Sequence, residues 1–317
     1  MYQCMQLKTK ISKSERTVAY ITNTLAVGIL CTTIQAFSAT PTDCQLVFAD
    51  SQAAILCADS VTGASRVVSQ GEKLMQPFGI AVGLSGEIFV SDTGCAGLFG
   101  INPSTGEQRL ICTGGILGLP FGITVERTGM ILVANGQSLV RVNPDSGTQA
   151  LVSNPNLFQV PIAIALDDND AIYVVDALGA VIRVDPATGA QTILAKGGYL
   201  QRPQGIVARG KYIYVTDVAT GDMNFGVGRV IRIDARSGRQ TILSEGANLV
   251  GPVGIAAGPN GQLIVSDPYT INPDSADLFD GAIISINEKT GAQTLIARGS
   301  GNFVNPRGVA IIPATAN

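Results

Sequence analysis

The feature that most constrains the fold of this chain is a five-residue signature that occurs six times. Each copy begins with Asp or Asn, continues with two variable residues, and ends in Ser or Thr followed by Gly, as in the stretch from Asp185 to Gly189. An Asp or Asn side chain can accept hydrogen bonds from the backbone amides ahead of it, and Gly tolerates left-handed backbone, so each copy predicts a hairpin turn. The six glycines, which lie 43, 41, 42, 49 and 53 residues apart, are Gly63, Gly106, Gly147, Gly189, Gly238 and Gly291.

Two further elements repeat in phase with this turn. One is Pro-x-Gly-Ile, as in the stretch from Pro77 to Ile80, and the other is an apolar run that ends in Asp or Asn. Alternating β-formers flank the turn, for example residues 181–184 and 191–194, and predict two antiparallel strands. Each unit of about 42 residues therefore holds four strands, the size and strand count of a β-propeller blade. We name these strands A to D from the propeller axis outward.

The order of the elements predicts how the ring closes. The first unit contains strands B, C and D only, five complete units follow, and the last element, residues 306–313, is a lone strand A. That strand can complete only the first unit. The sequence thus predicts an all-β, six-bladed propeller over residues 40–317, with four-stranded antiparallel blades and a C-terminal strand that joins the N-terminal ones.

The N-terminal segment has the pattern of a signal peptide. Four cationic residues lie within residues 8–16, an uncharged stretch covers residues 18–39, and its end is rich in small residues. This pattern predicts cleavage after Ser38 or nearby, so that residues 1–38 are removed. The alternative is an uncleaved anchor that would hold the chain at a membrane. Either case predicts a secreted or periplasmic protein.

An oxidising compartment makes the remaining cysteines disulfide candidates. The register of the repeats places Cys44 near Cys57 across the B–C turn of the first blade. It places Cys95 near Cys112 across the C–D hairpin of the second blade. We therefore predict the disulfides Cys44–Cys57 and Cys95–Cys112, with four buried free thiols as the alternative.

The Pro-x-Gly-Ile-Ala-Val and Ile-Tyr-Val-x-Asp elements resemble those of the NHL-repeat group of six-bladed propellers, over residues 44–313. That group neighbours the SMP-30/gluconolactonase and streptogramin-lyase propellers, so the resemblance implies the fold and leaves hydrolases, lyases and binding modules open. In SMP-30-like enzymes, acidic and amide side chains hold a divalent metal at the channel mouth, one of them from the variable position of Pro-x-Gly. Here those six positions, none of them a carboxylate, are Phe78, Phe121, Ile162, Gln204, Val253 and Arg307.

Composition narrows the function further. The chain contains no His, which excludes mechanisms built on Ser-His, Cys-His or zinc-His constellations, including those the resemblance implies for streptogramin lyases. A net charge of −3 argues against nucleic acid as a partner. We expect no cofactor, with a divalent cation as the minor alternative.

The candidate binding residues fall on one face of the predicted disk. Two long B–C connections, residues 218–228 and 268–281, lengthen the repeat. They are interpreted either as functional loops or as harmless length variation. Their candidate residues are Asp222, Phe225, Tyr269, Asp274, Asp277 and Phe279. The spacing of their acidic residues does not match the EF-hand calcium loop.

The channel mouth supplies the other candidates, Phe78, Phe121, Gln204 and Arg307, either as a small-ligand mouth or as packing that plugs the channel. The acidic or amide residue that ends each strand B forms a further sixfold ring. That ring is interpreted as capping the turn that follows each strand, with cation attraction as the alternative.

Taken together, these patterns predict a monomeric, non-catalytic module that binds a protein or a small ligand. The alternative is a divergent SMP-30-like hydrolase or a streptogramin-lyase-like enzyme.

Overall fold

The computed structural model describes residues 44–219, 226–270, 280–299 and 303–313. Twenty-four strands lie within these ranges. In chain order they are β1 (Leu46–Asp50), β2 (Ala54–Ala58), β3 (Ser65–Gln70), β4 (Pro77–Val82), β5 (Ile88–Asp92), β6 (Gly97–Ile101), β7 (Gln108–Thr113), β8 (Pro120–Val125), β9 (Ile131–Asn135), β10 (Ser138–Val142), β11 (Gln149–Ser153), β12 (Pro161–Leu166), β13 (Ile172–Asp176), β14 (Ala180–Val184), β15 (Gln191–Lys196), β16 (Pro203–Arg209), β17 (Tyr212–Val218), β18 (Gly228–Asp234), β19 (Gln240–Glu245), β20 (Ile255–Ala257), β21 (Gln262–Asp267), β22 (Ala282–Asn287), β23 (Gln293–Arg298) and β24 (Pro306–Ile311).

The strands form six four-stranded antiparallel sheets, which are the predicted blades. Blade 1 has the order β24-β1-β2-β3, and blades 2 to 6 are β4–β7, β8–β11, β12–β15, β16–β19 and β20–β23. The predicted closure is confirmed, because the C-terminal β24 pairs with the N-terminal β1. No helix among the described residues is long and apolar enough to cross a membrane.

The hydrophobic core consists of layers between adjacent blades. The middle strands B and C are buried almost throughout, as in β1 and β2, where every residue is buried. Alternate side chains of one strand therefore pack against the two neighbouring blades. Leu98, for example, packs toward blade 3, whereas the next residue, Phe99, packs toward blade 1. Burial on both sides explains why these strands read as continuous apolar runs rather than as an alternation.

The six signature turns join neighbouring blades as well as closing hairpins. In the turn after β6, Asn102 Oδ1 accepts the amides of Ser104 and Thr105 at 2.9 and 3.1 Å. Gly106 has the predicted left-handed backbone, with φ +74, and a Cβ atom there would lie 2.2 Å from the carbonyl oxygen of Val68 in the preceding blade. All six glycines make this close approach to the outer strand of the preceding blade, so a side chain at these positions would push two blades apart.

A glutamine two residues after the signature glycine completes the junction in blades 2 to 6. Gln108 donates to Ser69 Oγ at 2.9 Å and to the Gly71 carbonyl at 3.1 Å, and it accepts the Lys73 amide at 3.1 Å. The corresponding glutamines of the other four blades, each bonded to the preceding D–A connection, are Gln149, Gln191, Gln240 and Gln293. The repeat signature therefore encodes blade-to-blade attachment.

The two disulfide predictions have different outcomes. Cys44–Cys57 is present and ties the segment before β1 to β2, with the Cα atoms 5.5 Å apart. The Cys95–Cys112 prediction is wrong, because both thiols are free. Cys95 packs between blades 1 and 2 and donates to Asp92, whereas Cys112 packs between blades 2 and 3 beside Gln149. The two side chains thus lie on opposite sides of one sheet, which the spacing alone did not reveal.

Candidate functional site: the loop face and the channel mouth

The two faces of the propeller carry different connections. Because the strands alternate in direction, the B–C and D–A connections lie on one face, which we call the loop face. The A–B and C–D connections lie on the other, the turn face. A hydrogen bond at 3.0 Å from the Thr93 amide to the Gln76 carbonyl joins a B–C turn to a D–A connection and confirms that they are neighbours. The predicted candidate residues that the structure describes all belong to the loop face.

The acidic residue at the end of strand B holds two connections of its blade together. Asp92 accepts the amides of Gly94 and Cys95 in the following turn at 2.9 and 3.2 Å. It also accepts the amides of Met75 and Gln76, just before strand A, at 2.7 and 3.0 Å. The capping interpretation is confirmed, and the second set of amides extends it.

The same arrangement recurs around the ring. Each of these side chains is buried and bonds the amides that precede its own strand A, and the other five are Asp50, Asn135, Asp176, Asp217 and Asp267. Since the oxygens of these side chains point to backbone donors of the loops, the ring stabilises the connections of the loop face.

Blade 5 departs from this pattern. Its strands β17 and β18 continue past Asp217, and the guanidinium of Arg229 takes the place of the turn amides, with Nη2 2.8 Å from Asp217 Oδ1. Arg229 is itself buried and lies 5.9 Å from the ring centre of Tyr199. Burial raises the pKa of Asp217, while Arg229 acts in the opposite direction. The ion pair fixes the base of the long B–C connection of this blade.

Blade 6 carries the other long connection. Asp267 accepts the amides of Val250, Gly251 and Tyr269 at 2.7, 3.0 and 2.9 Å. It has no cationic partner among the described residues, and burial raises its pKa to about 6. Tyr269 is half-buried at the base of this connection. The predicted residues further along the two connections, Asp222, Phe225, Asp274, Asp277 and Phe279, lie outside the described residues.

The channel mouth is narrow. Phe78 and Phe121 are half-buried and meet edge to face, with their ring centres 5.4 Å apart. Below them, a cavity of about 70 Å³ is lined by all six innermost strands, including Gln204. This volume holds a few water molecules and is far below the roughly 300 Å³ of a small-molecule site. The geometry therefore favours packing over a ligand mouth.

Hydroxyl side chains keep the innermost strands this close. Thr216 accepts the Gly205 amide at 2.8 Å and donates to the Val253 carbonyl of the next blade at 2.8 Å. Ser266 likewise bonds the backbone of Arg307 in blade 1. The Arg307 side chain is half-buried, and it has no carboxylate within 4.0 Å in the described part of the chain.

The most informative property of the loop face is its exposed apolar surface. Fourteen large apolar side chains are exposed among the described residues, and seven of them lie on this face. These seven are Met75, Ile116, Leu119, Leu178, Tyr199, Val227 and Val304. Five of the others occupy the outer strands, and only Val61 and Leu84 lie on the turn face. Exposed apolar surface gathered on one face is typical of a protein-binding site.

Three of these side chains belong to the D–A connections that lead into the strands of Phe78 and Phe121. Met75 precedes Phe78 by three residues, and Ile116 and Leu119 precede Phe121 in the adjacent blade. We call these five residues the apolar arc. Sequence reasoning missed Met75, Ile116 and Leu119, although a signal was present. In every blade the third residue before the strand A proline is a buried Leu or Phe, such as Leu74 and Leu117. Met75 and Leu119 stand at the two positions that follow this buried residue, and both are exposed.

The described residues contain no group of three or more Cys, Asp or Glu side chains placed to hold a metal ion. No protein-family model matches the chain, and no curated protein matches it. Among solved structures, a chain from the crystal structure of a nidogen/laminin complex is similar to this one, with a TM-score of 0.69 and 13% identity. The match covers 86% of this chain and 99% of that chain. At this identity the likeness shows the six-bladed propeller fold alone.

Proposed function

We propose that this chain is an extracytoplasmic binding module that captures a protein partner on its loop face and catalyses no reaction. The observation that carries the proposal is the concentration of exposed apolar side chains on that face. The apolar arc supplies aromatic and aliphatic anchors of the kind that dominate protein interfaces. The two long connections begin and end on the same face, and Tyr269 lies at the base of one of them. The sequence candidates Asp222, Phe225, Asp274, Asp277 and Phe279 stay predictions.

Two further observations support this function. The Cys44–Cys57 disulfide fits an oxidising compartment outside the cytoplasm. The similar solved propeller comes from a complex of two proteins, nidogen and laminin, which agrees with a binding role for a propeller of this size. The channel mouth, with a cavity of about 70 Å³, offers a small ligand little room, so we assign Phe78, Phe121, Gln204 and Arg307 to the protein-binding surface rather than to a small-ligand mouth.

The proposal is tested by capture with a matched pair of variants. The double variant Met75→Asp/Leu119→Asp places two charges in the apolar arc, and Val61→Asp/Leu84→Asp places two charges on the turn face. All four side chains are exposed, so neither variant should change the thermal midpoint by more than about 2 °C. Each is immobilised and exposed to the extracytoplasmic fraction of the source organism, and retained proteins are quantified by mass spectrometry.

We expect the wild type and the turn-face variant to retain the same partner and the loop-face variant to retain at least about tenfold less, since a buried charge in an interface centre costs more than about 1.4 kcal/mol. Equal retention by all three proteins would contradict the proposal.

A further inference from the structure

The A–B corner of a blade lies on the turn face, beside the end of strand C. In blade 3, Glu126 follows strand A and pairs with Arg141 of strand C, with 2.7 Å between Oε1 and Nη2. In blade 4, Asp167 stands at the same position, six residues after the strand A proline, and accepts the Tyr173 hydroxyl at 3.2 Å. A carboxylate therefore occupies this corner in both blades.

Blade 5 reverses the charge at this position. Six residues after Pro203 stands Arg209, where blades 3 and 4 have a carboxylate. The strand C arginine is nevertheless kept, because Arg232 lies opposite Tyr214 just as Arg141 lies opposite Leu132. The corner of blade 5 thus carries a cation in place of the carboxylate that neutralises Arg141 in blade 3.

The cations of this corner gather around an aromatic ring. The Arg232 guanidinium lies 5.0 Å from the ring centre of Tyr212, and the Lys211 ammonium lies 5.1 Å from it. Within the described ranges, no carboxylate oxygen lies within 4.0 Å of Lys211, Arg232 or Lys289.

Two carboxylates stand near these cations, and both have other partners. Glu288 pairs with Arg209, with 3.5 Å between Oε2 and Nε. Asp234, the last residue of strand C, accepts the backbone amides of Arg236 and Ser237 in its own turn at 3.2 and 2.9 Å. Lys211 is therefore exposed beside the Tyr212 ring. The half-buried Arg232, whose Nε donates to Thr241 Oγ1 at 3.4 Å, has no carboxylate partner among the described residues.

These groups line a pocket of about 440 Å³ between blades 5 and 6. Its walls present four cations, Arg209, Lys211, Arg232 and Lys289, against the single carboxylate of Glu288, together with Tyr212 and Tyr214. The volume suits an organic ligand of two or three sugar rings. Such an excess of positive charge in a chain of net charge −3 attracts an anion.

We propose that this pocket binds an acidic saccharide through its carboxylate groups. Lys211 and Arg232 would pair with these groups. Tyr212, whose ring contacts Lys211 and Arg232, contributes a phenol group that can hydrogen-bond a sugar. Glu288 accepts hydrogen bonds from sugar hydroxyls and repels a phosphate-dense polymer. The pocket wall has no aliphatic side chain that would anchor an acidic peptide. The site lies on the turn face and does not depend on the loop-face proposal.

The test uses trigalacturonate as the probe, its fully methyl-esterified form as the neutral match and the tripeptide Glu-Glu-Glu as the alternative anion. Binding is measured by titration calorimetry at low salt. The variant Lys211→Gln/Arg232→Gln removes two cations of the pocket. The control Arg66→Gln/Arg183→Gln removes two exposed cations in other blades, so both variants have the same net charge.

We expect trigalacturonate to bind the wild type and the control equally, and the pocket variant at least about tenfold more weakly. A third variant, Arg209→Glu, places a carboxylate at this corner as in blade 3 and is expected to lose binding. Its thermal midpoint is expected to fall as well, because Arg209 also donates to the Gly258 and Gln262 carbonyls and pairs with Glu288. The proposal is overturned if the wild type does not bind trigalacturonate, if the ester or the tripeptide binds as tightly, or if the pocket variant keeps the wild-type affinity.

Discussion

The two faces of this propeller are built from the same six repeats but have different surfaces. On the turn face, six nearly identical C–D turns each place a glycine against the preceding blade. On the loop face, the B–C connections range from the two residues after Asn135 to the long connections of blades 5 and 6. The buried ring of Asp and Asn residues accommodates this variation in the length of the connections, because its side chains bond the backbone amides that the connections present.

The repeated positions hold the ring together, and the exceptions to the repeat lie where we propose that ligands bind. On the loop face the exceptions are the exposed apolar side chains, and on the turn face they are the cations at the corner of blade 5.

The largest effect on stability is expected from the loop-face ring. Asp92→Ala leaves the amides of Met75, Gln76, Gly94 and Cys95 without the buried carboxylate that accepts them, so we expect the free energy of unfolding to fall by about 4 kcal/mol. The matched variant is Asp59→Ala, which removes an exposed turn carboxylate on the opposite face. The free energy of unfolding, measured by urea titration, should fall much less in Asp59→Ala than in Asp92→Ala. Losses of equal size would contradict the role assigned to the ring.

The next effect concerns the glycines of the two faces. At Gly106 on the turn face, a Cβ atom meets the Val68 carbonyl at 2.2 Å, so Gly106→Ala combines left-handed strain with a blade-to-blade clash and should cost about 3 kcal/mol. At Gly136 on the loop face, φ is +58 and no atom lies within 4 Å of a Cβ, so Gly136→Ala should cost about 1 kcal/mol. Equal losses in the free energy of unfolding for the two variants, measured by chemical denaturation, would show that the contact between Gly106 and the preceding blade does not contribute to stability.

A smaller effect is the pH dependence of the loop face in blade 6. Burial raises the pKa of Asp267 to about 6 in the folded state, from 3.8. The folded state therefore binds this proton more tightly than the unfolded state. The resulting stabilisation is complete below about pH 4 and is lost as the pH rises through about 6, with a size on the order of 3 kcal/mol over that range.

Asp267→Asn removes this titration. Between about pH 4 and 7.5 the wild type should lose stability relative to Asp267→Asn, as measured from urea midpoints. The pKa of Asp59 on the turn face is lowered by its turn amides, so the contribution of that group to stability depends on pH in the opposite direction. A constant difference between the wild type and Asp267→Asn across this pH range would contradict the raised pKa.

Much of this fold could be predicted from the sequence, because the constraints are local and repeated. The turn signature around Gly189 is enough to predict the left-handed backbone of that glycine. The lone strand at 306–313 can pair only with the incomplete first blade. The bond between Cys95 and Cys112 was wrongly predicted because sequence spacing does not show which side of a sheet a side chain occupies. The second role of Gln108, as a bond to the preceding blade, is a contact between distant residues that no local pattern reveals.

The candidate site was less predictable for the same reason. The exposure of Leu119 depends on how the buried Leu117 fixes the position of the D–A connection that contains both residues. The charge of the blade 5 pocket depends on Glu288 and Lys289 from the next blade. Both properties arise only when blades are packed side by side.

The most direct test of the central claim is photocrosslinking from defined positions on the two faces. A benzoylphenylalanine residue replaces Leu119 on the loop face in one protein and Leu84 on the turn face in another, both of which are exposed. Each protein is irradiated in the extracytoplasmic fraction of the source organism. We expect one discrete protein adduct from position 119 and none from position 84. An adduct from position 84 alone, or the absence of any adduct from position 119, would contradict the assignment of the loop face as the binding surface.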